Sequence, residues 1–186
     1  MAIKLKTPLT REKLANLKAG DQVLISGTMY TARDAAHEKL MISLDQGEEL
    51  PFELEGALIY YVGPTPTREG DVIGSADPTT GLRLDSYTPR LIDLGLLGMI
   101  GKGRRGDQVK KKMKEAGAIY FAAIGGAGAL IKSSVLSQQV IAYEELGPEA
   151  IRKLQVKDFP VTVIIDSKGD DLYATGRQAY LASKEK

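Results

Sequence analysis

Short apolar runs alternate with helical segments through the second half of this 186-residue chain. Residues 96–100, 118–124 and 161–165 are apolar runs typical of buried strands. Between the first two runs lies a segment that begins near Asp107 and stops at Gly117, which predicts a helix with an acidic first turn and a glycine stop. This alternation predicts an α/β fold, with a mixed, partly parallel sheet and helices packed on it.

The remainder of the chain adds elements of both kinds. Strands are predicted at residues 23–30 and 57–62, so the first half is richer in strands. Thr88 followed by Pro89 predicts a helix N-cap and a proline at the first helical position. The other predicted elements are helices at residues 32–40, 88–95 and 147–154, a turn or helix after residue 125, and short strands at residues 72–75 and 140–143. We expect one domain over residues 1–186.

Composition excludes several classes of function. Lysine and arginine number 25 against 24 aspartates and glutamates, a net charge of +1, which argues against a nucleic-acid or membrane-surface partner. No apolar run approaches a membrane span, and the N-terminal segment lacks the apolar region of a signal peptide, so we expect a cytoplasmic protein. The chain has no cysteine and one histidine. It therefore offers no thiolate for an iron–sulfur cluster and no multi-histidine metal site.

The segment "GKGRRG", residues 101–106, follows an apolar run and precedes a helix. Its glycine spacing matches the dinucleotide-binding pattern, although the next strand has no acidic residue for a ribose. The cations Lys102, Arg104 and Arg105 suit carboxylates or phosphates, with amides exposed beside a helix N-terminus. Dinucleotide binding, a structural glycine turn and an anion-binding loop all remain open, and the anion-binding loop is favoured.

Two further segments carry groups that could bind an anion or move a proton. In "ARDAAH", Arg33 and His37 are four residues apart and share one helix face. The alternative is a solvent-facing pair, with Asp34 stabilising the helix start. In "DPTTGLRLD", residues 77–85, the hydroxyls and Arg83 could form a site, or the polar residues could serve turns while Arg83 pairs with Asp85. A third segment, "GGAGAL" at residues 125–130, is more typical of helix packing than of an anion cradle.

These motifs occur in one order, together with "GSADPTTGLRLDSYTP", "IGKGRRG", "YFAAIGGAGAL", "LGPEAI" and "FPVTVIIDSKGDDLY". Over residues 5–175 the chain resembles the beta subunit, or C-terminal domain, of class I iron–sulfur fumarases and L-tartrate dehydratases. The resemblance implies a swivelling β/β/α domain that docks on an alpha subunit in an alpha-2-beta-2 assembly. That subunit would carry a [4Fe–4S] cluster on three cysteines, with its fourth iron acting as a Lewis acid on the substrate.

The same resemblance assigns roles to residues of this chain. The residues implied to bind a small dicarboxylate are Arg33, Thr79, Thr80, Arg83 and Lys102. Thr79 would abstract a proton with help from an alpha-subunit carboxylate, and His37 would be a catalytic or a supporting acid/base. The implied reaction is the reversible hydration of fumarate to L-malate, with L-tartrate dehydration as the alternative. A stand-alone nucleotide-binding module and a non-catalytic partner-binding domain are the alternatives from other classes.

Overall fold

A computed structural model describes residues 2–123 and 128–184. Two 3₁₀ helices, Gly81–Leu84 and Glu144–Glu149, lie among the main elements. In chain order the main elements are β1 (Ile3–Lys6), α1 (Arg11–Leu14), β2 (Gln22–Thr31), α2 (Asp34–Asp45), β3 (Leu58–Tyr60), α3 (Thr88–Asp93), β4 (Gly98–Gly101), α4 (Asp107–Ala116), β5 (Ile119–Ala123), α5 (Gly128–Ser133), β6 (Val135–Ala142), β7 (Ile151–Ile165) and α6 (Leu172–Lys184).

The sheet is mixed, in the order β1-β2-β3-β4-β5-β7-β6, with a further pairing between β2 and β7. Strands β2 to β5 are mutually parallel. The long strand β7 runs antiparallel to both β2 and β5, so the pairings of these five strands close into a ring. Strand β1 adds to β2 and strand β6 adds to β7 outside that ring. The predicted mixed α/β sheet with packed helices is confirmed.

The parallel strands are apolar because they are covered on both faces. All residues of β3 and β4 are buried, as expected for parallel strands between layers of other elements. Helix α4 presents Val109 and Met113, one turn apart, to the core. It stops at Gly117, whose φ of 72° is left-handed, so the predicted glycine stop of this helix is confirmed.

The helix predicted over residues 147–154 is wrong. Its first residues belong to the 3₁₀ segment Glu144–Glu149, in which Gly147 has φ 58° and ψ −115°. From Ile151 onward the chain is strand β7, which pairs with β2 on one side and β6 on the other. The burial of Ile151, Leu154 and Val156 in this strand outweighs the helical preference of Glu, Ala, Arg and Lys, because sheet partners override local propensity.

Two of the weaker strand predictions also change. Residues 72–75 form no strand, and the run at 140–143 belongs to a longer strand, β6, that begins at Val135. The run at 161–165 is the C-terminal part of β7. No helix within the described residues is long and apolar enough to cross a membrane.

Candidate active site

The carboxyl ends of β2, β3, β4 and β5 lie at one edge of the sheet, because these strands are parallel. Polar segments follow three of them at that edge. Arg33 and α2 follow β2, Tyr61 and Gly63 follow β3, and Lys102 follows β4. In parallel α/β sheets this edge is where ligands bind. The segment "GGAGAL", which follows β5, begins outside the described residues.

The turn "DPTTG" is tied to the ends of β3 and β4 by backbone hydrogen bonds. The Thr79 amide donates to the Tyr61 carbonyl at 2.7 Å, and the Lys102 amide donates to the Thr79 carbonyl at 3.1 Å. The Gly81 amide donates to the Lys102 carbonyl at 2.8 Å. Thr80 and Lys102 thereby form a parallel bridge, which brings two motifs that are distant in sequence side by side.

Three polar groups on this turn and loop have no partner in the described part of the chain. The hydroxyls of Thr79 and Thr80 make no hydrogen bond to a described residue, and Thr80 does not cap the following 3₁₀ helix with its side chain. The alternative that the Thr80 side chain serves as a helix cap is therefore not supported. The Lys102 ammonium is exposed and makes no ion pair with a described residue. All three groups are available to a ligand.

A single carboxylate joins the two arginines that the sequence placed in separate motifs. Asp34 Oδ1 accepts a hydrogen bond from Arg83 Nε at 3.0 Å, and Asp34 Oδ2 lies 3.6 Å from Arg33 Nη2. The Arg83 side chain is 57% exposed, and its two terminal nitrogens have no partner among the described residues. Arg83 therefore pairs with Asp34 and not with Asp85, which was the alternative from the sequence.

Glu149 anchors the other side of this arginine cluster. Its Oε1 lies 3.6 Å from Arg33 Nη2, and its Oε2 accepts a hydrogen bond from the Ala35 amide at 2.9 Å. The carboxylate thus occupies the N-terminus of α2, where a negative charge is favoured. The Arg33 side chain lies against Gly63, at which an added Cβ would stand 3.1 Å from Arg33 Cδ.

Buried polar atoms without a hydrogen-bond partner are concentrated in the segment that follows β2. Arg33 Nε, Asp34 Oδ2 and His37 Nε2 are three of the five such side-chain atoms among the described residues. Buried polar groups are normally paired, and an unpaired one requires an explanation. Three unpaired polar atoms within residues 33–37 indicate that a polar ligand or a partner surface completes their hydrogen bonds.

His37 is fully buried, so the alternative of a solvent-facing pair with Arg33 is wrong. Its Nδ1 lies 2.8 Å from the Arg33 carbonyl, to which it donates. Its ring lies edge-on to Tyr61, with 5.5 Å between centroids, and 5.7 Å from Tyr87. Burial lowers the pKa of His37 to about 4, since a charge is disfavoured away from water. His37 is therefore neutral at pH 7.

The loop "GKGRRG" is less cationic toward solvent than its sequence suggests. Arg105 is 3% exposed, and its Nε donates to Asp85 Oδ1 at 2.6 Å. The other Asp85 oxygen accepts from the Gly106 amide at 2.6 Å. The chain's own carboxylate therefore occupies the amide beside α4 that a phosphate would use. This arrangement disfavours the dinucleotide reading and leaves Lys102 and Arg104 as the outward cations.

Gly81 in "DPTTGLRLD" is required for close packing. A Cβ added at this position would lie 2.6 Å from the Tyr120 hydroxyl and 2.8 Å from Arg105 Cδ. Both neighbours are buried and cannot move aside cheaply. The glycine therefore brings the threonine turn against the Arg105 side chain.

Sequence reasoning missed three functional neighbours: the link made by Asp34, the anchor made by Glu149 and the inward turn of Arg105. Asp34 and Arg83 are 49 residues apart, and Ala35 and Glu149 are 114 apart. No local spacing signals such pairs. For Arg105 a signal existed, because two adjacent arginines between glycines cannot both point to the same side of an extended loop.

The sheet edge, the unpaired hydroxyls and the arginine cluster make the carboxyl ends of the parallel strands a candidate anion-binding site in an α/β chain. A family model described as "Fumarase C-terminus" matches residues 1–176. The chain therefore belongs to the fumarase C-terminal family, as the resemblance from its motifs predicted.

Individual relatives fall into two groups. "Fumarate hydratase 2" of Leishmania major is 39% identical over 180 residues, covering 92% of this chain and 31% of the relative. "Fumarate hydratase class I, aerobic" of Escherichia coli K12 is 40% identical over 163 residues, covering 87% and 30%. The chain thus spans about a third of these fumarate hydratases. "Putative L(+)-tartrate dehydratase subunit beta" of Methanocaldococcus jannaschii is 38% identical and is covered over 88% of its length.

Proposed function

We propose that this chain is the beta subunit of an iron–sulfur-dependent hydro-lyase that reversibly hydrates fumarate to L-malate. The observation that carries the proposal is the meeting of two arginines on Asp34, at the sheet edge where the backbone of Thr79 is hydrogen-bonded to that of Lys102. We propose further that residues 1–186 act as one domain, which supplies the carboxylate-binding and proton-transfer groups.

The cations have separate tasks in this proposal. A dicarboxylate needs a partner at each end, and the free terminal nitrogens of Arg83 can take one carboxylate in a bidentate manner. Arg33 and Lys102 serve the other end, and the Thr80 hydroxyl donates to an oxygen of the substrate. Each charge-assisted hydrogen bond contributes about 1.5–3 kcal/mol. Two or three also stabilise the extra charge that develops on a carboxylate when the adjacent carbon loses its proton.

Thr79 is the proposed proton-abstracting group. Its hydroxyl has no partner among the described residues, and its backbone is fixed on both sides by Tyr61 and Lys102. A hydroxyl is a weak base unless a neighbouring group activates it. Proton transfer by a positioned side chain contributes roughly 10²–10⁴-fold in rate. We propose that a carboxylate of the partner subunit assists Thr79 in this step.

His37 serves the site in a supporting role in this proposal. A buried, neutral imidazole that donates to the Arg33 carbonyl fixes the backbone from which the Arg33 side chain starts. Its other nitrogen, unpaired among the described residues, can accept one hydrogen bond. The low pKa of about 4 makes a protonated, acid-donating His37 scarce at pH 7.

The described part of this chain offers no ligand set for the cluster that the resemblance implies. The sequence has no cysteine, and no group of three or more His, Asp or Glu within residues 2–123 and 128–184 could hold a metal ion. We propose that the cluster belongs to an alpha subunit in an alpha-2-beta-2 assembly. The roles proposed above concern only the side chains of this chain.

L-Tartrate dehydration is the second candidate function. The observation that favours it is the Methanocaldococcus relative, which is named as a separate beta subunit and which this chain covers over 88% of its length. Both substrates are dicarboxylates with a hydroxyl next to a carboxylate on the hydrated side. The binding groups named above suit either one.

The test is to assemble the chain anaerobically with a cluster-bearing alpha subunit and to assay both reactions. Fumarate–malate interconversion is followed by fumarate absorbance, and tartrate dehydration by oxaloacetate formation. Turnover by the assembled complex, with none by either subunit alone, supports the proposal. A complex that forms yet converts neither substrate contradicts it. Turnover of tartrate alone transfers the proposal to the second candidate.

A further inference from the structure

Arg105 is a buried cation enclosed by groups from four parts of the chain. Besides Asp85, its guanidinium reaches Thr88 at the start of α3, with Nη2 donating to Thr88 Oγ1 at 2.7 Å. It lies between two aromatic rings, 5.4 Å from the centroid of Tyr61 and 4.9 Å from that of Tyr120. The sequence predicted that Thr88 is the N-cap of α3, and this prediction is wrong. Thr88 is the first residue of the helix, and its hydroxyl donates a hydrogen bond to the Leu84 carbonyl.

Residues 102–106, which we call the Lys102 loop, are hydrogen-bonded at both ends to the segment of residues 79–85. At the first end, the Lys102 amide and carbonyl bond to Thr79 and Gly81. At the other end, Arg105 Nε and the Gly106 amide both donate to the Asp85 carboxylate at 2.6 Å. Between these two fastenings lies Gly103, with a left-handed φ of 74°, so the loop folds back between two fixed points.

A buried ion pair is an inefficient way to stabilise a fold, because the charges lose their hydration. Replacing such a pair by apolar residues of similar volume is often neutral or stabilising. The ion pair does fix the orientation of the side chain, since a guanidinium donates its hydrogen bonds in its own plane. Asp85, Thr88 and the two rings leave Arg105 one orientation. The pair therefore fixes how the loop sits on the turn, which an apolar side chain would not do.

We propose that Arg105, held by Asp85, is a positioning residue that sets the placement of the Lys102 ammonium relative to the Thr79 hydroxyl. This inference rests on the proposed function of Thr79 and Lys102. Arg105 itself touches no substrate, because its guanidinium is enclosed by Asp85, Thr88, Tyr61 and Tyr120. Without the Arg105–Asp85 fastening the loop is held only at its Lys102 end, so the Lys102 side chain is placed less firmly, and small misplacements of reacting groups are costly in rate.

The variants are Arg105→Met, Arg105→Lys and Asp85→Asn, with Arg90→Met as the matched control. Arg90 is an exposed arginine paired with Asp45 on the protein surface. In the assembled complex we expect Arg105→Met and Asp85→Asn each to lower kcat about tenfold to a hundredfold. The double variant should lose no more than the worse single one, because both changes break the same fastening. Arg105→Lys should recover part of the rate, and Arg90→Met should equal the wild type.

A second measurement does not depend on activity. Amide hydrogen exchange in the full chain should become at least tenfold faster at residues 102–106 in Arg105→Met, and stay unchanged in β4 and β5. A protein that exchanges faster throughout the sheet, melts lower and keeps its kcat makes Arg105 a stability residue and overturns the proposal. If Arg105→Met fails to fold, Asp85→Asn and Arg105→Lys give the same readouts. Absence of activity in the wild-type complex refutes the proposed function instead, and the exchange data still decide whether Arg105 holds the loop.

Discussion

Replacing Arg83 by lysine separates a binding role from a structural one. Arg83 uses only its Nε in the structure, to Asp34 at 3.0 Å, while its terminal nitrogens have no partner among the described residues. Lysine keeps the positive charge but offers a point donor in place of a planar fork. The change therefore removes one of the paired hydrogen bonds to a substrate carboxylate and leaves the charge in place.

The expected losses differ between the two roles. A lost charge-assisted hydrogen bond of about 1.5–3 kcal/mol lowers kcat/KM roughly tenfold to a hundredfold. The Arg83 side chain is 57% exposed, so its ion pair with Asp34 contributes only about 0–1 kcal/mol to stability. For a chain of this size that corresponds to a melting temperature lower by at most about 4 °C. The kinetic effect should therefore be large while the fold stays intact.

The assay is kcat/KM of the assembled complex, measured beside the melting temperature of the chain. Arg90→Lys is the control, because Arg90 is also exposed and also pairs with one aspartate of α2, Asp45. We expect the control to match the wild type in both measurements. Unchanged kinetics in Arg83→Lys would refute the reasoning and make Arg83 a surface ion-pair residue like Arg90.

Three further predictions concern affinity, pH and packing. Lys102→Met should weaken dicarboxylate binding by the complex about tenfold to a hundredfold in calorimetry, with no NAD binding before or after the change; micromolar NAD binding would revive the dinucleotide reading. Burial lowers the folded pKa of His37 from 6.5 to about 4, so protonation of this residue costs no free energy of unfolding above pH 6.5 and about 3 kcal/mol as the pH falls toward 4. In urea unfolding, the free energy of His37→Asn should fall less steeply with decreasing pH than that of the wild type, and an equal fall would contradict this. Gly81→Ala should cost about 1–3 kcal/mol in urea unfolding through overpacking. Gly176→Ala, whose nearest neighbour would be 4.0 Å away in α6, should be neutral or slightly stabilising.

The sequence predicted the elements whose signals are local. Helix α4 has an acidic start, a buried stripe and a glycine stop, and all three lie within eleven residues. The strands β3, β4 and β5 are apolar runs buried on both faces. The prediction was wrong for the first half of β7, because residues 151–156 take their conformation from β2 and β6 on either side. A local pattern cannot report on β2, which is more than a hundred residues away.

The same division holds for the candidate site. The motifs drew attention to Arg33, Thr79, Arg83 and Lys102, and the structure brings their segments to one edge of the sheet. Their acidic partners were not predicted: the one pair that the sequence offered, Arg83 with Asp85, was left open as an alternative and does not form. In the fold, Asp85 points inward and pairs with the buried Arg105, whereas Arg83 pairs with Asp34, which lies at the start of α2. Charge pairing in a folded chain follows burial, and burial depends on topology.

These pairings explain why the three proposed binding cations should not behave alike. Arg33 and Arg83 already share the negative charge of Asp34, and Arg33 also faces Glu149. Their remaining free nitrogens can still orient a carboxylate, but much of their charge is balanced before any ligand arrives. Lys102 has no carboxylate partner in the described part of the chain, so its whole charge is available to the ligand. Loss of Lys102 should therefore appear mainly as weaker binding, whereas loss of the Arg83 fork should appear mainly as poorer orientation and a slower reaction.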